Sequence, residues 1–165
     1  MFASHFFVDS PPRVAQQLLG MRLQTALGTY TLIEVEAYGG QDDAASHAYR
    51  DTPRARLMID TSGIWYVYLI YGMHLCVNIT VGLAGVGGAV LLRGLEANDG
   101  SIILGPGKVS QALGISRQWN GHRVDDESQD TVWLPPEQKR GPVKALTRVG
   151  IRHEQDRLWR FSIRP

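Results

Sequence analysis

The sequence predicts an α+β fold in a single domain spanning residues 1–165. Three observations point there. A stretch from Ile64 to Thr80 holds no charged residue, and its two runs rich in Val, Ile, Tyr and Trp meet at Tyr71-Gly72, the pattern of a β-hairpin with a tight turn. Runs at residues 21–26, 29–37, 89–93 and 158–163 also have strand character. Two short segments, 11–20 and 105–114, carry helix start and stop signals. A chain of 165 residues can bury a sizeable core, and a composition of 44% apolar and 20% charged residues is that of an ordinary globular protein.

The first helix opens at Asp9-Ser10-Pro11-Pro12. Ser10 or Asp9 is its cap, proline sits in its first turn and Gly20 stops it, with Val14, Leu18 and Leu19 as its apolar stripe. Residues 21–26 and 29–37 read as strands joined at Leu27-Gly28. In the second strand Glu34 and Glu36 stand two residues apart, so both project from one face while Ile33 and Val35 take the other. Such a pair is either solvated or holds one member as a base in a cleft, its pKa set by burial and neighbours. A loop over residues 38–43 follows, then a short helix at 44–47 capped by Asp42 or Asp43. His47 has no second histidine nearby at ligand spacing, so a hydrogen-bonding role is expected and no metal. Residues 50–56 form a basic turn whose Arg54 and Arg56 are candidate phosphate contacts or solvated charges.

In the hairpin, alternation puts Trp65, Val67 and Leu69 on one side and Tyr66, Tyr68 and Ile70 on the other. Tyr71 falls at the tip, where a large ring buries little of its own surface. It either caps a neighbouring loop or inserts into a partner. Residues 81–88 are a glycine-rich connection without nucleotide-binding spacing. Residues 89–93 read as a buried strand ending in Arg93, for which Glu34, Glu36 or Glu96 could be the ion-pair partner. The segment 105–114 is a helix with a glycine-rich start. Its free N–H groups, with Lys108 in the first turn, could hold a phosphate or be those of an ordinary helix. Residues 116–142 form a polar excursion with one short strand near 131–134, and 148–152 with 158–163 complete the sheet.

Several function classes are excluded or weakened. The single Cys76 allows neither an internal disulfide nor a multi-cysteine zinc site, and its apolar strand marks it as a buried, inert thiol. The charge-free run 64–92 is long enough for a membrane helix, but His74, Asn78, Thr80, five glycines and the β-branched content assign it to buried strands. The N-terminus M-F-A-S-H has no basic region followed by a long apolar run, so a cytoplasmic setting is expected. A net charge of +1 argues against a large non-specific nucleic-acid surface. The charges are unevenly spread, however. Residues 139–165 hold eight Lys and Arg against two acids, whereas 96–137 hold seven acids against three bases. A basic face of that kind can position phosphates.

The motifs E-V-E-A-Y (34–38), D-D-A-A-S-H (42–47), T-P-R (52–54), Y-V-Y-L-I-Y-G-M (66–73) with Asn78, L-L-R (91–93), G-P-G-K (105–108) and R-V-G (148–150) occur in this order. Together they make the chain, from about Phe6 to Ile163, resemble the alkyladenine (3-methyladenine) DNA glycosylase family of base-excision repair. The resemblance implies a compact domain with a curved antiparallel sheet, flanking short helices and a protruding DNA-intercalating hairpin. It implies a hydrolase that acts on double-stranded DNA containing damaged purines and lacks lyase activity; no cofactor and no membrane partner are expected, and a monomer is the default for an enzyme that scans DNA. By position, Glu36 matches the general base, and Arg93 with the backbone carbonyl of Val149 would hold the attacking water. Tyr38, His47 and Tyr68 match the slot around a flipped base. Asn78 matches the side chain that disfavours guanine, with Met73 also bearing on pocket width. Tyr71 matches the residue that enters the minor groove, and Met73 and His74 match positions flanking DNA. Two departures stand out. His74 occupies a place where some members carry an aromatic residue, and Ala55 follows T-P-R where a polar residue is expected. The chain also lacks a long N-terminal extension, as in a minimal bacterial-type member.

Two rival readings compete. Glu34 and Glu36 could be the paired carboxylates of a carbohydrate glycosidase. Alternatively the hairpin aromatics could stack bases in a binding module without catalysis. The sequence leaves the lesion open among 3-methyladenine, 7-methylguanine, hypoxanthine and ethenoadenine.

Overall fold

The β-branched and aromatic runs pair into one open antiparallel sheet. The computed structural model describes residues 2, 5–126, 131–137 and 141–164, and among these the sheet has nine strands. They are β1 (Arg22–Thr25), β2 (Gly28–Tyr38), β3 (Trp65–Ile70), β4 (His74–Thr80), β5 (Ala89–Ala97), β6 (Ile102–Leu104), β7 (Val132–Leu134), β8 (Lys144–Leu146) and β9 (Arg160–Ser162). Three short helices flank them: α1 (Pro11–Leu18), α2 (Arg56–Asp60) and α3 (Pro106–Leu113). Among the described residues no helix is long and apolar enough to cross a membrane.

The strand order is β3-β4-β5-β2-β1-β7. The two central strands change neighbours part-way along. β5 pairs β4 through residues 89–91 and β6 through 94–96, while β2 pairs β1 through 28–31 and β9 through 34–36. A bulge in β2 between Leu32 and Val35 interrupts the register with β5. Bulges bend a strand and re-aim its side chains, and this one lies beside Glu34 and Glu36. The main core packs Val14 and Leu18 of α1, and Leu19 just after it, with Leu32 and Val35 of β2 and Leu92 and Leu95 of β5. Each such side chain, fully buried, contributes about 1.5–3 kcal/mol. A smaller cluster of Ala48, Ala55, Met58, Ile59, Tyr66 and Ala89 lies against Tyr38 and Tyr68.

Several local expectations need correction. The β1–β2 turn is Ala26-Leu27, because Thr25 pairs with Gly28. Neither Ser10 nor Asp9 caps α1 through its side chain. Asp9 instead accepts from the Ser10 amide at 2.7 Å and pairs with Arg13 at 3.2 Å. Residues 44–46 are not helical; a single 3-10 turn, His47–Tyr49, is capped by the Ser46 hydroxyl, which accepts from the Ala48 amide. Arg93 lies inside β5 rather than at its end. Residues 148–152 form a loop, not a strand, and the edge is completed by β8 instead. Lys139 and Arg140 of the basic C-terminal stretch lie outside the described residues.

One glycine needs its missing side chain for this packing. A Cβ on Gly40 would lie 2.0 Å from the Val86 carbonyl oxygen, so the loop after β2 closes directly onto the glycine-rich connection before β5.

Candidate active site

The sheet brings acids and a base together at its centre. Glu36 on β2 lies opposite Leu91 on β5, and Arg93 reaches back across the pair. Glu36 has no exposed surface. Its Oε1 accepts from the Val149 amide at 2.7 Å and lies 3.4 Å from Arg93 Nε, while its Oε2 accepts from the Tyr38 hydroxyl at 2.8 Å. Burial raises its pKa, and Arg93, the Val149 amide, Tyr38 and Arg160 offset only part of that rise. The result is a carboxylate of heightened basicity held by two hydrogen-bond donors, with the Arg93 charge beside it. Burial first, and then the Glu36 charge, also raise the pKa of Tyr38, which keeps its proton and remains a donor.

Above Glu36 opens a cleft of about 400 Å³. It is lined by Glu36, Tyr38, His47, Tyr66, Tyr68, Asn78, Arg93 and the loop Val149-Gly150-Ile151, with Tyr71 also at its wall. Alternation on β3 puts Tyr66 and Tyr68 on this side, as the sequence pattern predicts. Arg54 Nε donates to the Tyr66 hydroxyl at 3.1 Å, and that hydroxyl lies 2.9 Å from His47 Nδ1. Arg54 can only donate, so the Tyr66 hydroxyl accepts from it and keeps its own proton for the neutral His47, whose Nδ1 accepts in the tautomer protonated on Nε2. Partial burial and the Arg54 charge lower the His47 pKa, which favours this neutral form. Asn78 is buried and donates from Nδ2 to the Tyr66 carbonyl at 3.0 Å.

Eight of the expected residues therefore share one cleft: Glu36, Tyr38, His47, Tyr68, Tyr71, Asn78, Arg93 and Val149. Others lie elsewhere. Met73 is 75% exposed and lines a separate groove with His74 and Ser110, between the hairpin and α3. Lys108 is exposed in the first turn of α3. Arg54, although exposed, lies over the Tyr68 ring at 4.4 Å, and Arg56, also exposed, is paired with Asp51 and Asp60.

Sequence reasoning missed one element of the site. Arg148 and Asp43 form an ion pair with no exposed side-chain surface, through bonds of 2.6 and 2.9 Å. Arg148 also donates to the Ala37 carbonyl and lies 4.8 Å over the Tyr38 ring. Burial opposes ionisation of Asp43, but Arg148 and the Gly39 and Ala45 amides outweigh it and lower its pKa. The pair ties the loop after β2 to the residue preceding Val149. Both residues fall in motifs of the sequence, D-D-A-A-S-H (42–47) and R-V-G (148–150), but nothing local joins positions 105 apart.

Comparison with known proteins identifies the family of the chain. The sequence model of the methylpurine-DNA glycosylase family matches residues 5–165. A protein of Sodalis glossinidius is 40% identical over 152 residues, which is 90% of this chain and 88% of its own length. One from Nocardia farcinica is 38% identical over 176 residues, covering 93% and 83%. One from Chlamydia pneumoniae is 35% identical over 191 residues, covering 100% and 96%. All three bear the name "Putative 3-methyladenine DNA glycosylase". With nearly the whole chain inside these matches, the protein belongs to the methylpurine-DNA glycosylase family and is a DNA glycosylase, a hydrolase of N-glycosyl bonds.

Proposed function

We propose that the protein acts in base-excision repair as a monomer, turning alkylated or deaminated purines out of duplex DNA and hydrolysing their N-glycosidic bond. The observation that carries this reading is a wholly buried carboxylate, Glu36, beside an arginine at an aromatic cleft. Extruding a nucleotide costs a few kcal/mol. Tyr71, 87% exposed at the hairpin tip, fills the vacated stack and offsets part of that cost. Tyr38 and Tyr68 receive the base, and stacking there contributes about 1–3 kcal/mol.

In the chemical step a water on the sugar face attacks C1′ as the bond to the purine breaks. Glu36 takes the water's proton, and Arg93 with the Val149 carbonyl hold that water in line. A purine alkylated on a ring nitrogen departs with the bonding electron pair as a neutral base, so one carboxylate suffices. A neutral lesion such as hypoxanthine leaves as an anion and takes its proton from solvent water, which balances the proton that the attacking water gives to Glu36. Asn78 disfavours guanine by opposing its exocyclic amine.

The carbohydrate reading fits less well. Glu34 and Glu36 both face Arg93 Nε, and Glu34 is further occupied by Arg160 and Arg164, so no second free carboxylate is available to a sugar. Membership of an enzyme family sets aside the non-catalytic binding module.

The test is a panel of duplexes, each with one of 3-methyladenine, 7-methylguanine, hypoxanthine or ethenoadenine. Each is incubated with protein and then cut with alkali at abasic sites. Alkali-dependent cleavage of at least one duplex is expected, and intact strands throughout would refute the proposal.

A further inference from the structure

Glu34 has no part in the step just described, yet it is only 4% exposed and sits in a cluster of five charges. Its Oε1 is 3.3 Å from Arg93 Nε, and its Oε2 meets Arg160 Nη1 at 3.4 Å and Arg164 Nη2 at 3.3 Å. Arg93 Nε also lies 3.4 Å from Glu36 Oε1. That N–H donates to Glu34 and has Glu36 as a second carboxylate within ion-pair reach. The terminal nitrogens of Arg93 make no hydrogen bond among the described residues, although the side chain lines the cleft. An arginine paired with a carboxylate through its terminal nitrogens would form a closed two-bond fork and have far less to offer a third group. The bulge in β2 and the absence of a side chain at Gly94 permit the observed arrangement, since a Cβ there would lie 2.8 Å from Glu34 Cβ.

We infer that Glu34 is a positioning residue for the hydrolysis: it holds Arg93 by Nε, is itself held by Arg160 and Arg164, and so reserves the guanidinium's terminal nitrogens for the attacking water and the adjoining phosphate. The inference rests on the reading of Glu36 as the base. Facing Glu36 are Glu34 and Tyr38 from β2, Arg93 from β5, Arg160 from β9, Cys76 from β4 and the Val149 amide. Without Glu34, Arg93 turns fully onto Glu36. The base then loses a like charge and gains more of an opposite one, so its ionised form is favoured and its basicity falls.

The experiment is single-turnover excision from a lesion duplex across a pH series. For Glu34→Gln the rate constant falls about tenfold, less than the roughly 100- to 1,000-fold lost when a preorganised donor is removed outright. The acid midpoint moves to lower pH, the reaction amplitude is kept, and the double variant with Arg93→Gln is no slower than Arg93→Gln alone. A merely structural Glu34 would instead lower the amplitude while leaving rate constant and midpoint at wild-type values, and that result, or additive losses in the double variant, overturns the inference. If Glu34→Gln does not fold, Glu34→Asp keeps the charge but withdraws it by one methylene. It must slow the step, and a wild-type rate constant overturns the inference. Glu36→Gln is run alongside. Its retention of excision would reject the base assignment itself, whereas its loss beside an unaltered Glu34→Gln rejects only the role given to Glu34.

Discussion

Glu36 must be charged to work, in a place that resists charge. Its pKa is raised by burial, so in the folded protein it is stabilising while protonated, and that contribution is lost as pH rises through the raised value. Glu36→Gln removes the burden. The variant is expected to melt no lower than wild type at pH 8, with its advantage vanishing toward pH 4, as thermal melts at both values would register. Lesion binding should survive while excision falls at least about 100-fold, and near-normal excision would remove Glu36 from the mechanism. The acid limb of wild-type excision should lie above the ordinary carboxylate range, because the group that must ionise is held there. Alternation alone showed that Glu34 and Glu36 share a face. It could not separate their roles, since the difference comes from Arg93, Val149, Arg160 and Arg164, between about 60 and 130 positions further along the chain.

At the scale of elements, the hairpin was legible because its signal is local: two apolar runs and a Tyr-Gly turn. The tip adds something no pattern gives. Tyr71 has a φ of 51°, a left-handed conformation that costs a residue with a side chain about 1–2 kcal/mol. An exposed ring in a strained backbone is retained without benefit to folding. Tyr71→Gly should therefore melt within about 2 °C of wild type or above it. Tyr71→Ser should slow single-turnover excision from duplex DNA, and an unaltered rate rejects insertion. The loop 148–152 was misread as a strand because five residues are too few to show a period, and because Asp43, which fixes Arg148, lies far away in sequence. Asp43 has a lowered pKa, so its stabilisation is present above the ordinary aspartate range and fades as pH falls through the folded value. Asp43→Asn leaves an enclosed guanidinium unpaired and should cost about 3–5 kcal/mol at pH 7 in urea unfolding, with the gap to wild type narrowing in acid.

Over the whole molecule, the helices α1 and α3, the long strands β2 to β5 and the short β7 were readable from sequence. Strands β6 and β8, three residues each, were not, because their pairing comes from tertiary context rather than from their own residues. Charge was similarly hard to place. Net charge and local clusters singled out Arg54, Arg56 and Lys108 alike, but Arg54 has a ring partner and Arg56 an ion-pair partner, whereas Lys108 has neither among the described residues. Lys108→Ala should therefore lower the salt slope of DNA binding by about one, whereas Arg56→Ala should leave it unchanged. Titrations of affinity over a range of salt concentrations would distinguish them.

Because the Tyr71 ring is bare before DNA arrives, whatever base step it enters, sound or faulty, gives it equal shelter. Under the proposed mechanism such a probe quickens patrol without choosing a target, and discrimination is left to the chamber behind it. Single molecules lacking the ring should linger less on healthy duplex while ranking the different kinds of injury as before.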